Sequence, residues 1–560
     1  MLNAPAARHI AVPFEREAML AQLREREFDV LVVGGGITGC GIALDAASRG
    51  LRTALVERDD FASGTSSRSS KLVHGGLRYL QQGDVRLVYQ ALHERQRLLR
   101  NAPHLVSVLP FLVPILTKDG PVSKKIAKAM RSALWMYDLT GGARIGKLHR
   151  RLDAAESLTH CPTLPLDRLS SGFVYYDAAT DDARLTLTVA RTAARHGAIV
   201  ANHCTVRELT KSGGGRVNGA VVDSGNGDLH VRARVVVSAT GVWADELRRL
   251  DEGVHPDSIR PAKGVHITIP WRLVGNDIAV IISVPGDKRS LFIVPWGQLP
   301  GGTFEHCYVG TTDTDFTGDL DDPQTDEADL DYVLRALNHA LTSTITRSDV
   351  TGVWAGLRPL VKGAESARTA DLSRRHSIAT SDAGLITVTG GKLTTYRIMA
   401  SDVVGEVTRV LGGRARSRTK RLPLLGAQGF RRPPADHPDA RLARRYGTEA
   451  AEIKALIALD RSLAEPLVPG LQYVRAEAIH AVRCEMATTL IDVLTRRTRA
   501  HLRDRAACHS AAPDVAELLG RELGWSPTET ARQVDAYRAM GAAEVAAAGA
   551  TADSSTGSPA

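Results

Sequence analysis

Residues 28–41 read FDVLVVGGGITGCG. The β-branched and apolar run Phe28 to Val33 predicts a buried parallel strand. It runs directly into Gly34, Gly36 and Gly39, which fill a G-x-G-x-x-G template, and Ile42 to Ser48 carry helix formers. Strand, turn and helix in this order make a nucleotide-binding turn. Gly34 permits the tight turn, Gly36 lets the backbone approach a pyrophosphate, and Gly39 lets the helix pack on the sheet. The anion would sit on the free N–H groups at the positive end of the helix dipole. A second apolar strand, Thr53 to Val56, ends in Glu57, about 20 residues on, where an acidic side chain can hydrogen-bond a ribose hydroxyl.

Working outward, 560 residues exceed one simple core, so two or three domains are expected. With 43% hydrophobic and 24% charged residues the composition is that of a globular protein and excludes overall disorder. A net charge of +9 implies an anionic neighbour, whether phosphorylated metabolite, lipid headgroup or nucleic acid. The six cysteines show no C-x-x-C pair and no His at zinc spacing, which predicts neither a disulfide framework nor a metal and suits a reducing cytosol. No apolar run reaches the ~18 residues that span a bilayer. The best, Val106 to Leu116, is interrupted by two prolines. Residues 1–26 are charged and lack a signal-peptide core. A soluble or peripheral protein is expected.

Along the chain, Thr65 to Tyr79 (TSSRSSKLVHGGLRY) is a polar loop whose hydroxyls and N–H groups could line a phosphate or a planar ring. Helical spacing predicts helices at Asp84 to Arg100, Val122 to Tyr137, Asp181 to Arg195 and Asp326 to Leu341. The second carries Lys124, Lys125, Lys128 and Arg131 beside Trp135, which suits either a membrane interface or an ordinary surface. Arg234 to Gly241 (RVVVSATG) gives a second strand-to-helix turn, placing Gly241 beside the first. Gly264 to Pro270, Ile278 to Val284, Leu291 to Pro295 and Tyr308 to Thr312 read as an antiparallel sheet. Val350 to Leu360 and His376 to Thr380 are further strands. Gly384 to Arg397 (GLITVTGGKLTTYR) ends a strand on Gly390 and Gly391 and starts a helix at about Leu393, so Lys392 and backbone N–H groups point at one spot. After a basic linker at 413–420, helices are expected at Asp439 to Leu459, Val474 to Arg499, Pro513 to Leu523 and Ser526 to Met540, with a disordered tail from Ala542.

Taken together, Val32 to Gly41, Thr65 to Tyr79, Asp181 to Leu185, Gly310 to Asp313, Gly356 to Leu360, Gly390 to Arg397 and Glu485 to Arg499 resemble the FAD-dependent, quinone-linked glycerol-3-phosphate dehydrogenase family. The resemblance extends from about Phe28 to about Met540. It implies an α/β plus α fold: a discontinuous Rossmann-like FAD-binding domain (27–95, 170–257, 380–415), an antiparallel substrate domain like that of D-amino-acid oxidase (96–169, 258–379), a helical bundle (421–545), and tails at 1–26 and 546–560. Noncovalent FAD would be held by Gly34, Gly36, Gly39, Glu57, Thr65, Ser66, Ser67, Ser70, Gly241, Gly391, Lys392, Leu393 and Thr394.

The substrate implied is glycerol 3-phosphate, whose charge calls for cations, arginine above all. The resemblance places Arg358 and Arg374 at the phosphate, with Arg375 an alternative to Arg374, and Arg78 and Tyr79 at the reacting end. His266 is the candidate base, as a group titrating near operating pH, and Arg78 and Lys392 are the candidate electrophilic groups. A membrane quinone is the implied electron acceptor, an anionic inner-membrane surface the implied docking site, and a homodimer is left open. Three rivals stay open: an oxidase using oxygen, an amino-acid oxidase, and a nucleic-acid-binding flavoprotein. The last lacks a recognition module and has only 5% aromatic residues, so no nucleic-acid partner is expected.

Overall fold

The computed structural model describes residues 14–76, 85–116, 124–139, 141, 145–287, 289–362 and 376–549. The first sheet is built around Glu27–Val33, which pairs in parallel with Asp228–Ser238 on one side and Thr53–Val56 on the other. Ile199–Ala201 and Ile386–Thr389 extend it in parallel, and Ser377–Thr380 closes one edge antiparallel. Val30, Leu31 and Val32 are fully buried, as expected of a strand covered on both faces. Helix Ile37–Ser48 packs against both Asp182–Arg195 and Tyr396–Val410, and their apolar faces join the sheet in one core. Gly41 permits this approach, since a Cβ there would press on the Tyr396 ring at 2.7 Å.

The second sheet runs Thr314–Asp315, Ile259–Pro270, Phe304–Gly310, Ser290–Gln298, Ala279–Ser283, Ser107–Leu116, Leu169–Ala179, Leu72–Val73, with Gly352–Val361 also paired to Ile259–Pro270. It is antiparallel apart from one junction, where Ala279–Ser283 meets Ser107–Leu116 in parallel. Helix Glu327–Ala340 covers it through Leu330, Val333 and Leu337, opened by a reciprocal cap between Asp326 and Asp329. Leu72–Val73 and Leu169–Ala179 lie in this second sheet. The chain therefore crosses between sheets inside the stretches 27–95 and 170–257 that the resemblance assigned whole to the first.

Five further expectations need correction. Residues 1–26 are not all tail: Arg16–Glu25 is a helix whose Met19, Leu20 and Leu23 enter the first core. Its Arg16 donates to the carbonyls of Asn202 (3.0 Å), His203 (2.9 Å) and Ser224 (2.6 Å). The helix expected over 439–459 is two, Ala440–Tyr446 and Ala450–Leu459, broken at Gly447, whose φ is +62° and whose missing Cβ leaves space for the Gly426 backbone. The helix expected over 474–499 ends at Glu485, where Met486 turns left-handed. The Asp492 carboxylate then accepts the N–H groups of Thr488 (2.9 Å) and Thr489 (3.0 Å) and opens a separate π-helical turn, Asp492–Arg497.

Pro513 does not start a helix but lies inside one, Arg505–Leu523. The carbonyl that a proline leaves without its helical donor, that of His509, receives Arg538 at 3.4 Å. The final helix, Pro527–Ala547, outruns its expected end, and Ala548 is buried in the second core, so the tail begins later than Ala542.

Several buried carboxylates join the C-terminal helices to the first sheet. Asp60, fully buried, accepts from Arg497 (2.5 and 2.8 Å), Arg496 (2.6 Å) and Asn202 (3.0 Å). Removing one partner from such a group costs about 3–5 kcal/mol, because the remaining charge is left under-compensated away from water. Arg497→Leu is therefore expected to lower the denaturation midpoint, followed by circular dichroism, by several degrees or to prevent folding. Arg207→Leu, which breaks an exposed pair with Asp223, should leave the midpoint unmoved.

Candidate active site

A cavity of about 780 Å³ opens along the carboxyl end of the first sheet and continues to the second. One end is formed by Gly34, Gly36, Glu57, Ser66 and Gly241, the other by Ser70, His74, His266, Arg358 and Lys392. At the first end the glycines are required by contact. A Cβ on Gly34, whose φ is +110°, would stand 2.6 Å from the Ala239 carbonyl oxygen, and one on Gly39 would strike that of Gly34. Gly39 thus closes the turn onto the sheet and does not line the cavity.

Helix Ile37–Ser48 has glycine at its N-cap, so its first donor is met from elsewhere: Ser66 Oγ accepts the N–H of Ile37 at 2.9 Å. Glu57 ends Thr53–Val56 as expected, and its carboxylate braces the turn, accepting from the N–H of Gly35 (2.5 Å) and of Asp59 (2.9 Å). Burial pushes the Glu57 carboxyl above its ordinary value.

The 65–71 segment is held from both sides. Thr65 donates to the Leu357 carbonyl at 2.5 Å. Ser69 donates to Asp182 through its hydroxyl (2.7 Å) and backbone (3.0 Å). Ser67 is buried and off the cavity; its carbonyl receives Arg499. Gly391, Lys392, Leu393 and Thr394 line the cavity opposite, where Gly391, at φ +84°, leaves room for the Met399 thioether. Thr394 ties this turn to the loop by donating to the His74 carbonyl at 3.3 Å.

His266 sits in Ile259–Pro270, flanked by Gly310 and Trp354 on the neighbouring strands. Its ring stacks on Trp354 with centroids 4.9 Å apart and planes 8° apart, and Gly310 leaves the space beside it that a Cβ would fill. Nε2 lies 2.9 Å from Ser70 Oγ. Burial first, then the charges of Lys71 and Arg358, hold the imidazole well below its ordinary pKa, so it is neutral at pH 7.

Lys71 is the group that sequence reasoning missed. It is 3% exposed, over the Trp354 ring at 4.4 Å and 3.4 Å from Asp182, with its pKa brought down to about 8 by burial and by Arg499. The signal was its place inside the serine-rich stretch already singled out. Arg358, in Gly352–Val361, reaches the cavity and is oriented by Asp313 Oδ1 (3.0 Å), Thr311 Oγ1 (3.0 Å) and the Thr312 carbonyl (3.1 Å). Gly264 on the adjoining strand makes room for its guanidinium. Arg78, Tyr79, Arg374 and Arg375 lie outside the described residues.

Two family descriptions match this chain: "FAD dependent oxidoreductase" over residues 29–397, and "C-terminal domain of alpha-glycerophosphate oxidase" over residues 417–530. A protein of Mycobacterium tuberculosis named glycerol-3-phosphate dehydrogenase 2 is 41% identical over 548 residues, 95% of this chain and 91% of that one. The mitochondrial glycerol-3-phosphate dehydrogenase of Rattus norvegicus is 38% identical over 92% of this chain and 73% of its own length. Among solved structures, the glycerol-3-phosphate dehydrogenase of Bacillus halodurans complexed with FAD superposes with a TM-score of 0.75 at 31% identity, over 94% of this chain and 96% of that one.

The residues present fit FAD. The glycine turn keeps its shape because Gly34 and Gly39 carry no Cβ to strike the Ala239 and Gly34 carbonyls, and the cavity runs from it to His266. Gly34, Gly36, Ser66 and Glu57 would hold the nucleotide half, and Ser70 and Gly391 to Thr394 the half nearer His266. Sequence match, superposition and cavity agree that the chain belongs to the FAD-dependent glycerol-3-phosphate dehydrogenase family.

Proposed function

We propose that the protein oxidises sn-glycerol 3-phosphate to dihydroxyacetone phosphate and passes the electrons to a membrane quinone. The observation that carries this reading is a neutral, buried imidazole and an oriented guanidinium facing one cavity that begins at the nucleotide turn. FAD, when bound, would supply at N5 the two-electron acceptor for the hydride of substrate C2.

The chain's own part is to bind an anion and remove a proton. Arg358 faces the phosphate, its fork pre-set by Asp313 and Thr311, so little side-chain entropy is lost on binding. His266 takes the proton of the C2 hydroxyl. With Nε2 against Ser70 Oγ, the ring in its Nδ1–H tautomer accepts from Ser70, and that hydroxyl can relay a proton from the cavity. Lys392, at the opposite wall, stabilises negative charge developing at the substrate oxygen. Arg78, Tyr79 and Arg374 stay in the proposal as further substrate ligands on the strength of the family resemblance.

Attachment to the inner face of the cell membrane is proposed through helix Lys124–Leu139, which exposes Trp135, Met136 and Leu139, the last at 81%. Among the described residues no helix is long and apolar enough to cross a membrane. Each Lys or Arg near anionic lipid adds about 1 kcal/mol.

Glycerol 3-phosphate should bleach the flavin anaerobically, while glycine and D-alanine should not; the reverse result would assign an amino-acid oxidase. Reoxidation faster with a quinone analogue than with air is the expected second half of that experiment, and faster reaction with air would make the protein an oxidase. His266→Asn is expected to lower kcat by about 10²–10⁴-fold with the flavin spectrum retained. Because a base works unprotonated and burial lowers the pKa of His266, the acid limb of kcat/KM should lie below pH 6.5. Lys71→Met, by removing one of the two cations that depress that pKa, should move the limb upward. Sedimentation with anionic vesicles, weakened by Leu139→Ser and absent with neutral vesicles, tests the membrane surface.

A further inference from the structure

Away from the cavity, two C-terminal helices bring together three donor groups that the redox chemistry does not use. Ala450–Leu459 and Arg475–Glu485 pack through Ile453, Leu456 and Ala476. His480 and Cys484 are four residues apart on the second helix and so share a face. Glu452, in the first turn of the other helix, meets them there. One ligand atom from each, a nitrogen, a sulfur and an oxygen, lies within 4.8 Å of the others.

His480 is 1% exposed, yet neither ring nitrogen makes a hydrogen bond among the described residues. Nδ1 stands 3.6 Å from Glu452 Oε2 and Nε2 stands 3.5 Å from Glu485 Oε1, both longer than a good hydrogen bond. Burial lowers the pKa of this ring, but Cys484 and Glu485 outweigh it and raise it to about 9, so the ring gathers positive charge between acidic groups. Glu452 is half exposed and Cys484 partly so, which opens the cluster to solution on one side.

We propose that Glu452, His480 through Nδ1, and Cys484 through Sγ bind one divalent ion of the zinc class, with water in the fourth position. Mixed nitrogen, sulfur and oxygen donors suit this borderline-soft ion, whose bonds of about 2.0–2.3 Å would draw the three atoms in around it. Glu485, fixed by Arg184 and Arg191, then faces the remaining N–H of the ligating imidazole, the carboxylate–histidine–metal arrangement that orients such ligands. Binding releases the thiol proton, and any proton carried by His480, to solvent. A second group of potential ligands, Asp60, His203 and Asp492, does not invite an ion, because Arg496 and Arg497 already neutralise its carboxylates.

The test uses full-length holoenzyme stripped with a chelator and dialysed against Zn²⁺ or Co²⁺. One equivalent of zinc by elemental analysis, ligand-field bands of Co²⁺ to the red of the flavin spectrum, and protection of Cys484 from alkylation by zinc are expected. The other five cysteines are buried, so the alkylation readout by mass spectrometry is local. Cys484→Ser should weaken binding by at least about 100-fold and the half-exposed Glu452→Gln by about 10–100-fold, while His203→Gln leaves it unchanged. Less than one equivalent bound, binding that survives in both Cys484→Ser and Glu452→Gln, or alkylation of Cys484 unaffected by zinc would overturn the assignment. Should Cys484→Ser fail to retain flavin, Glu452→Gln and the wild-type alkylation decide.

Discussion

Carboxylates with no access to water bind the halves of this molecule into one. Asp60, Asp182 and Glu485 are each fully buried, and each is neutralised by an arginine from 497–499 or by one that reaches toward that segment: Arg497 on Asp60, Arg499 on Asp182, Arg184 on Glu485. A charge so placed is tolerated only while its partners are in position, which makes the contact all-or-none. Met486 and Arg499, both left-handed, mark where the backbone leaves helical geometry to deliver these guanidinium groups. The C-terminal helices are thus required by the first sheet rather than merely attached to it.

That requirement reaches the chemistry. Asp182 accepts from Ser69 and Arg499 and pairs with Lys71, and the Ser67 carbonyl receives Arg499. The segment that carries Ser70 to His266 is therefore set by a residue more than four hundred positions away in sequence. Burial of His266 against Trp354, with Lys71 and Arg358 near by, keeps the imidazole neutral. The same low-dielectric surroundings that make the network costly to break hold the imidazole neutral.

Much of the fold was legible because local rules produced it. Glu27–Val33, Thr53–Val56 and Tyr396–Val410 lie where apolar runs, glycine pairs and helical spacing put them. The expectations that failed were those where a distant partner overrode a local pattern. Gly447 interrupts a helical pattern because the backbone at Gly426 passes there. Pro513 looked like a helix start, since nothing nearby revealed that Arg538 would meet the carbonyl it frees. Most of Leu169–Ala179 falls in a stretch that the resemblance gave to the FAD-binding domain, and only its pairing with Ser107–Leu116 places it in the second sheet. Gly34, Ser66, His266, Arg358 and Lys392, named from motif and resemblance, line one cavity, whereas Lys71 was passed over as one cation among many. The expectation of no metal rested on spacing within one stretch, and the site proposed at Glu452, His480 and Cys484 would draw its ligands from two helices.

The nucleotide turn and the alternation of strands and helices around it could be read from residues alone, because glycine geometry and side-chain periodicity act over a few residues, while FAD as the cofactor came from the resemblance. Which charges are buried together, which nitrogen of His266 meets Ser70, and that Gly310 and Gly264 make room for an imidazole and a guanidinium follow from contacts between distant segments. Those outcomes depend on distances between segments that share no local pattern, and a dielectric environment comes into being only once the chain has closed around it.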